Sequence, residues 1–113
     1  MAMTYYVQLD NRKYLVTEDN HLVHISSWDT AIRDWLAAKV GVKLSEEHYA
    51  AIEFIRSAYE KRGQHPNPRV IAAELAARFG PEKGTLKNFY RLFPRGVKQA
   101  FSIAGLPMQG FCF

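Results

Sequence analysis

From Ser27 onward, apolar residues recur every three or four positions, and each such run is cut by glycine or proline: at Gly41, Gly63, Gly80-Pro81 and Phe93-Pro94. This punctuation allows a set of short amphipathic helices and excludes one long one. The first predicted helix runs from an N-cap at Ser27 to about Val40. It buries Trp28, Ala31, Ile32, Trp35 and Leu36 on one face. Ser45 caps a second, with Glu46 and Glu47 in its positively polarised first turn and a stripe of His48, Ala51, Ile52, Ile55, Ala58 and Tyr59. Asn67 followed by Pro68 starts a third, which carries Ile71, Ala72, Leu75, Ala76 and Phe79 inward. A fourth is predicted over about 85–92, with Leu86, Phe89 and Tyr90 apolar. A fifth covers about 95–104, with Val97, Ala100, Phe101 and Ala104 inward.

The chain before Ser27 has a different rhythm. Tyr5-Tyr6-Val7-Gln8-Leu9 and Tyr14-Leu15-Val16 are β-rich, with a turn over Asp10-Asn11-Arg12-Lys13, and Leu22, Val23 and Ile25 predict a third short strand. A hairpin this small needs a body to lean on. The fold class is therefore α+β and mostly α: an N-terminal β-hairpin packed on an orthogonal bundle of about five helices. At 113 residues the chain suits a single domain, divided into a hairpin region (5–25), a helical body (27–104) and a terminal arm (105–113). Two glycines and a proline divide Gly105-Leu106-Pro107-Met108-Gln109-Gly110-Phe111-Cys112-Phe113, so the arm is expected to be mobile and not helical.

That arm carries the only cysteine. A free cysteine is most often an inert core residue, but one placed at Cys112, after a Gly- and Pro-broken segment, is hard to bury. Seven peptide steps from Gly105 give the sulfur a reach of roughly 23 to 25 Å, which suits a carrier better than a fixed catalyst. Activation must come from elsewhere: the adjacent terminal carboxylate pushes the thiol above its ordinary pKa of about 8.5, and the arm has no basic residue. Arg95 and Lys98 on the body are the candidates for steadying a sulfur anion. Phe111 and Phe113 flank the thiol as apolar anchors, either for a partner or for the body itself.

Charge gives a second candidate. The formal net charge is +4, and its basic excess lies in the C-terminal half. Lys83, Lys87 and Arg91 fall at i, i+4 and i+8, so the third and fourth helices together have a helix-turn-helix-like spacing that could follow a phosphate backbone. A solvated helix face has the same pattern. The four histidines form no metal site, with His48 read as a packing residue and His65 as a loop residue. No phosphate loop or nucleophile elbow is present, and no cofactor is expected. One cysteine and no signal peptide or apolar span predict a soluble cytoplasmic protein that does not engage a membrane.

Leu92-Phe93-Pro94-Arg95-Gly96-Val97-Lys98-Gln99-Ala100, Ile103-Ala104-Gly105-Leu106-Pro107 and the penultimate Cys112 carry a resemblance. With support from Glu47-His48-Tyr49 and Pro68-Arg69-Val70, the chain resembles the family of the sulfite reductase gamma subunit (DsrC) and its sulfur-relay relative TusE. The resemblance implies a hairpin on a helical body and a reactive cysteine on a C-terminal arm. The sulfite-reductase branch has a second cysteine where this chain has Phe101, so the resemblance favours the TusE-like branch. It then implies a persulfide carrier, a sulfurtransferase-type protein and not a self-sufficient enzyme. A TusBCD-like complex would be the sulfur donor, and the enzyme that makes 2-thiouridine at the tRNA wobble position, with or without bound tRNA, the acceptor. The segment Met108-Gln109-Gly110-Phe111 and the terminal Phe113 depart from the family pattern and bear on partner identity.

Overall fold

The computed structural model describes residues 3–107. Strands β1 (Thr4–Leu9) and β2 (Arg12–Thr17) form an antiparallel hairpin in which Thr4 faces Thr17 and Leu9 faces Arg12. The turn is tighter than the sequence suggested. It takes only Asp10 and Asn11, with Asp10 in the left-handed region (φ 54°) that a short polar side chain tolerates. The predicted third strand shrinks to a single bridge between Val16 and Leu22. Asn20, also left-handed (φ 65°), folds the chain back sharply enough for that one pairing, and Ile25 already belongs to a 3-10 turn (Ile25–Ser27).

Among the described residues five α-helices follow: α1 (Thr30–Lys39), α2 (Glu46–Arg62), α3 (Pro68–Phe79), α4 (Leu86–Leu92) and α5 (Val97–Ile103). The expected cap at Ser27 is displaced to Asp29. Ser27 Oγ donates back to the His24 carbonyl, while Asp29 Oδ1 accepts the Ile32 N–H at 3.0 Å. Asp29 prevails because its other oxygen is needed as well: it accepts the Tyr14 hydroxyl at 2.5 Å and pairs with Arg12, which ties hairpin to helix. Burial pushes the Asp29 carboxyl up, but these donors and the Arg12 charge outweigh it and hold the group below its ordinary value. Trp28 therefore lies ahead of the helix, and Ala31 is exposed. The Asn67 cap holds as expected, accepting from Val70 N–H, and Thr85 caps α4 through Asn88 N–H.

Burial divides into two clusters. Val7, Tyr14, Val16 and Leu22 of the hairpin pack on Ile32 and Leu36 of α1. The larger cluster gathers Ile52, Ile55, Ile71, Leu75, Phe89, Phe93, Phe101, Ile103 and Leu106. Each such side chain contributes about 1.5–3 kcal/mol when fully buried, so the helical cluster dominates stability. Trp28 packs against both. No helix among the described residues is long and apolar enough to cross a membrane.

Candidate functional site

The chain's last described residues are tied into the body one carbonyl at a time. A helix leaves its final carbonyls without intrahelical partners, and the end of α5 finds them on distant elements. The Trp28 indole N–H donates to the Ile103 carbonyl at 2.9 Å, and Arg56 Nη1 to that of Ala104 at 2.7 Å. His21 Nδ1 donates to the Leu106 carbonyl at 3.3 Å, and His65 Nε2 to that of Pro107 at 2.8 Å. Leu106 N–H returns to the Phe101 carbonyl. The break expected at Gly105 thus falls later: Gly105 and Leu106 are buried and Pro107 is half-buried.

Gly105 is required where it sits. Its φ of +74° is a left-handed conformation, and a Cβ there would lie 2.3 Å from Trp28 Cδ1. Trp28 is held in turn by the Arg56 guanidinium, 4.2 Å from its ring centroid. Arg56 reaches the Ile25 carbonyl as well, so one side chain joins the end of α5 to the turn before α1.

Two concavities flank this root. One, of about 430 Å³, is lined by Glu18, Asp19, His21, Arg95, Lys98 and Ser102, among others. It brings together the two basic residues singled out from the sequence, Arg95 from the bend before α5 and Lys98 from its first turn, both exposed. Gln99 sets that bend: its carbonyl oxygen accepts Arg95 N–H at 3.1 Å and its amide donates to the Val40 carbonyl at 2.8 Å. Burial pushes the His21 imidazole below its ordinary pKa, against the raising effect of its bond to Leu106, and nearby His65 and Lys98 add to the lowering. A neutral ring protonated at Nδ1 is the form that donates to the Leu106 carbonyl. The second concavity, about 670 Å³, is a groove between α2 and α3 lined by Phe54, Ser57, Ala58, Lys61, His65 and Val70, among others.

Cys112, Phe111 and Phe113 lie outside the described residues. The other basic set, Lys83, Lys87 and Arg91, is not one helical stripe. Lys83 belongs to a 3-10 turn (Pro81–Lys83) ahead of α4. Glu47 lies 3.4 Å from both Lys83 Nζ and Arg91 Nη2, whereas Lys87 is exposed and forms no ion pair among the described residues. Burial raises the Glu47 carboxyl, but the Asn88 hydrogen bond and the charges of Lys83 and Arg91 outweigh it, so it is held below its ordinary value. Among the described residues no group of three or more His, Cys, Asp or Glu side chains could hold a metal ion.

Sequence reasoning passed over His21 and His65, because their role depends on a carbonyl 85 and 42 positions away. The only local signal was negative: neither ring belonged to an apolar stripe or a ligand set.

A hairpin-capped bundle of short helices, with the root of its C-terminal segment clasped between two concavities, defines a recognisable class of small protein. The chain belongs to the DsrC-like family: the DsrC-like protein model matches residues 8–113. Among relatives, the sulfurtransferase TusE of Salmonella typhimurium (strain LT2) is 35% identical over 104 residues, covering 91% of this chain and 95% of that protein. The TusE of Sodalis glossinidius is 38% identical over 93 residues, covering 81% and 86%. Among solved structures, Allochromatium vinosum DsrC superposes with a TM-score of 0.85 at 34% identity, covering 98% of this chain and all of that one (100%). The oxidised gamma subunit of the dissimilatory sulfite reductase from Archaeoglobus fulgidus gives 0.86 at 28% identity, covering 96% and 100%.

Proposed function

We propose that this protein is a sulfur carrier in which Cys112 receives a sulfur atom as a persulfide and surrenders it to an acceptor enzyme. The observation that carries the reading is the placement of the sole cysteine five residues beyond an anchored root, in a family whose relatives include proteins named sulfurtransferase TusE. From Pro107 the sulfur can reach roughly 16 to 18 Å at about 3.3–3.6 Å per residue. That is shorter than a free arm beginning at Gly105 would give, and long enough to enter a partner's pocket.

The Cys112 thiolate attacks the outer sulfur of a donor persulfide. A new S–S bond forms, the donor's S–S bond breaks, and the donor cysteine leaves as its thiolate. Sulfur changes hands with no net oxidation and no cofactor. Arg95 and Lys98 provide a basic surface for the anionic sulfur beside the root. The likeness to TusE supports placement in a relay that begins at a TusBCD-like donor and ends at the enzyme forming tRNA wobble 2-thiouridine, in the cytoplasm.

Incubation with a cysteine desulfurase, cysteine and a cognate relay protein, followed by intact-mass analysis without reductant, tests this. The expected result is a gain of one sulfur atom that disappears with reductant and in Cys112→Ser. No gain from a donor that loads a control acceptor would overturn it.

A further inference from the structure

Proline has no N–H, so the carbonyl is the only backbone group by which Pro107 can be held, and one side chain holds it. His65 lies in the connector between α2 and α3 and donates from Nε2 to that carbonyl at 2.8 Å. Its ring is not free to swing. It meets Phe101 of α5 edge to face at a centroid distance of 4.9 Å, and Tyr59 of α2 at 5.2 Å. Phe101 is itself fully enclosed in the core. Three elements therefore converge on one nitrogen, and that nitrogen points at the last held atom of the chain.

The neighbouring carbonyl is held from the opposite concavity. His21, on Leu106, lines the depression with Arg95 and Lys98, whereas His65 lines the α2–α3 groove. Leu106 is buried and locked by its own N–H as well, so losing the His21 bond would leave it in place. Among the described residues Pro107 has no such second hold. His65 alone among the described residues holds the last carbonyl before the Cys112-bearing segment.

We propose that His65, braced by Phe101 and Tyr59, is a positioning residue for the carrier thiol: it fixes the start of the Cys112-bearing segment beside the α2–α3 groove. This rests on the carrier reading for its purpose, but not for its test. The groove suits the segment: Phe54, Ala58 and Val70 offer apolar surface to a stretch holding Met108, Phe111 and Phe113.

Because Cys112 is the sole cysteine, a nitroxide attached there reports where the sulfur spends its time through broadening of backbone amide signals. In the unmutated protein, broadening at Ser57, Lys61 and Val70 should exceed that at Lys98 and Ser102 on the other side of the root. His65→Leu should reduce this ratio at least twofold while the melting temperature stays within a few degrees. His65→Gln, which keeps a donor amide, should restore most of it. An unchanged ratio in His65→Leu, or an unmutated protein that favours Lys98 and Ser102, overturns the proposal. Should His65→Leu fail to fold, the unmutated protein still decides: long-range proton–nitrogen correlation must show the His65 proton on Nε2, and a ring protonated only on Nδ1 overturns it. The label needs no sulfur transfer, so this test can fail while the carrier reading stands, and the reverse.

Discussion

Two corners of this molecule use the same device, a histidine donating to an orphaned carbonyl, and put it to different ends. At the junction of α2 and α4, His48 accepts the Ser45 N–H on Nδ1 at 3.1 Å and donates from Nε2 to the Leu92 carbonyl at 2.8 Å. Both ring nitrogens are committed, the ring is buried against Phe93, and Glu47 beside it gathers Asn88, Lys83 and Arg91. At the root of the C-terminal segment, His21 and His65 each commit one nitrogen among the described residues, to the carbonyls of Leu106 and Pro107, the last described residues before the cysteine. The first corner closes a fold, while the second holds the root of the segment that, in the function proposed above, carries sulfur. A histidine's part in function thus shows in what its carbonyl partner leads to, more than in the ring's own surroundings.

The largest expected effect comes from breaking the root. Gly105→Ala would force a side chain into a left-handed backbone and against Trp28, costing about 2–4 kcal/mol from conformational strain together with overpacking. Urea unfolding should show it as a lowered midpoint with an unchanged slope. At the other corner, His48→Ala leaves the Leu92 carbonyl and the Ser45 N–H without partners and should cost about 1–3 kcal/mol. The same titration detects it, and sulfur loading per folded molecule should be unchanged.

Acidification sharpens the comparison. Burial lowers the folded-state pKa of both His48 and His21. The unfolded chain takes up protons at about pH 6.5, where the folded protein resists them. Their contribution to stability is therefore fully present above that pH and is lost as pH falls through it toward the lower folded values. Melting temperatures from pH 7.5 down to 5 should decline, and less steeply in His48→Ala. The smallest effect is expected at the surface. Arg95→Ala combined with Lys98→Ala should change stability by only about 0.5 kcal/mol or less, yet slow sulfur loading of Cys112. Unaltered loading kinetics would remove these cations from the site.

What the sequence disclosed follows the range of the interactions involved. The Asn67-Pro68 start, the Ser45 cap, the Gly63 stop and the stripes of α2 and α3 rest on neighbours three or four residues apart and stand in the structure, whereas Ala31 and Tyr90, expected inward on the first and fourth helices, are exposed. Ser27 was an equally good local cap. Asp29 took the role because Tyr14 and Arg12, on another element, need its second oxygen. The third strand failed for a similar reason: its residues have β character, but the left-handed turn at Asn20 leaves room for one pairing. Arg95 and Lys98 were legible as basic residues near the arm, and the shared depression became visible only with the fold. The role proposed for Cys112 rests on its place in the sequence and on family likeness. Nothing local announced that His21, Trp28, Arg56 and His65 would hold the end of α5.

Those four attachments join positions 85, 75, 48 and 42 residues apart in the chain. Contacts of such long range close last in folding, since each must first overcome the entropy of a large loop. The turn after β2, the segment before α1, the middle of α2 and the connector to α3 must all be in place before the root can lock. Seating of Pro107 is therefore a report on the whole molecule. A partner that engages only the correctly presented terminal segment would, by that choice alone, reject every incompletely folded copy.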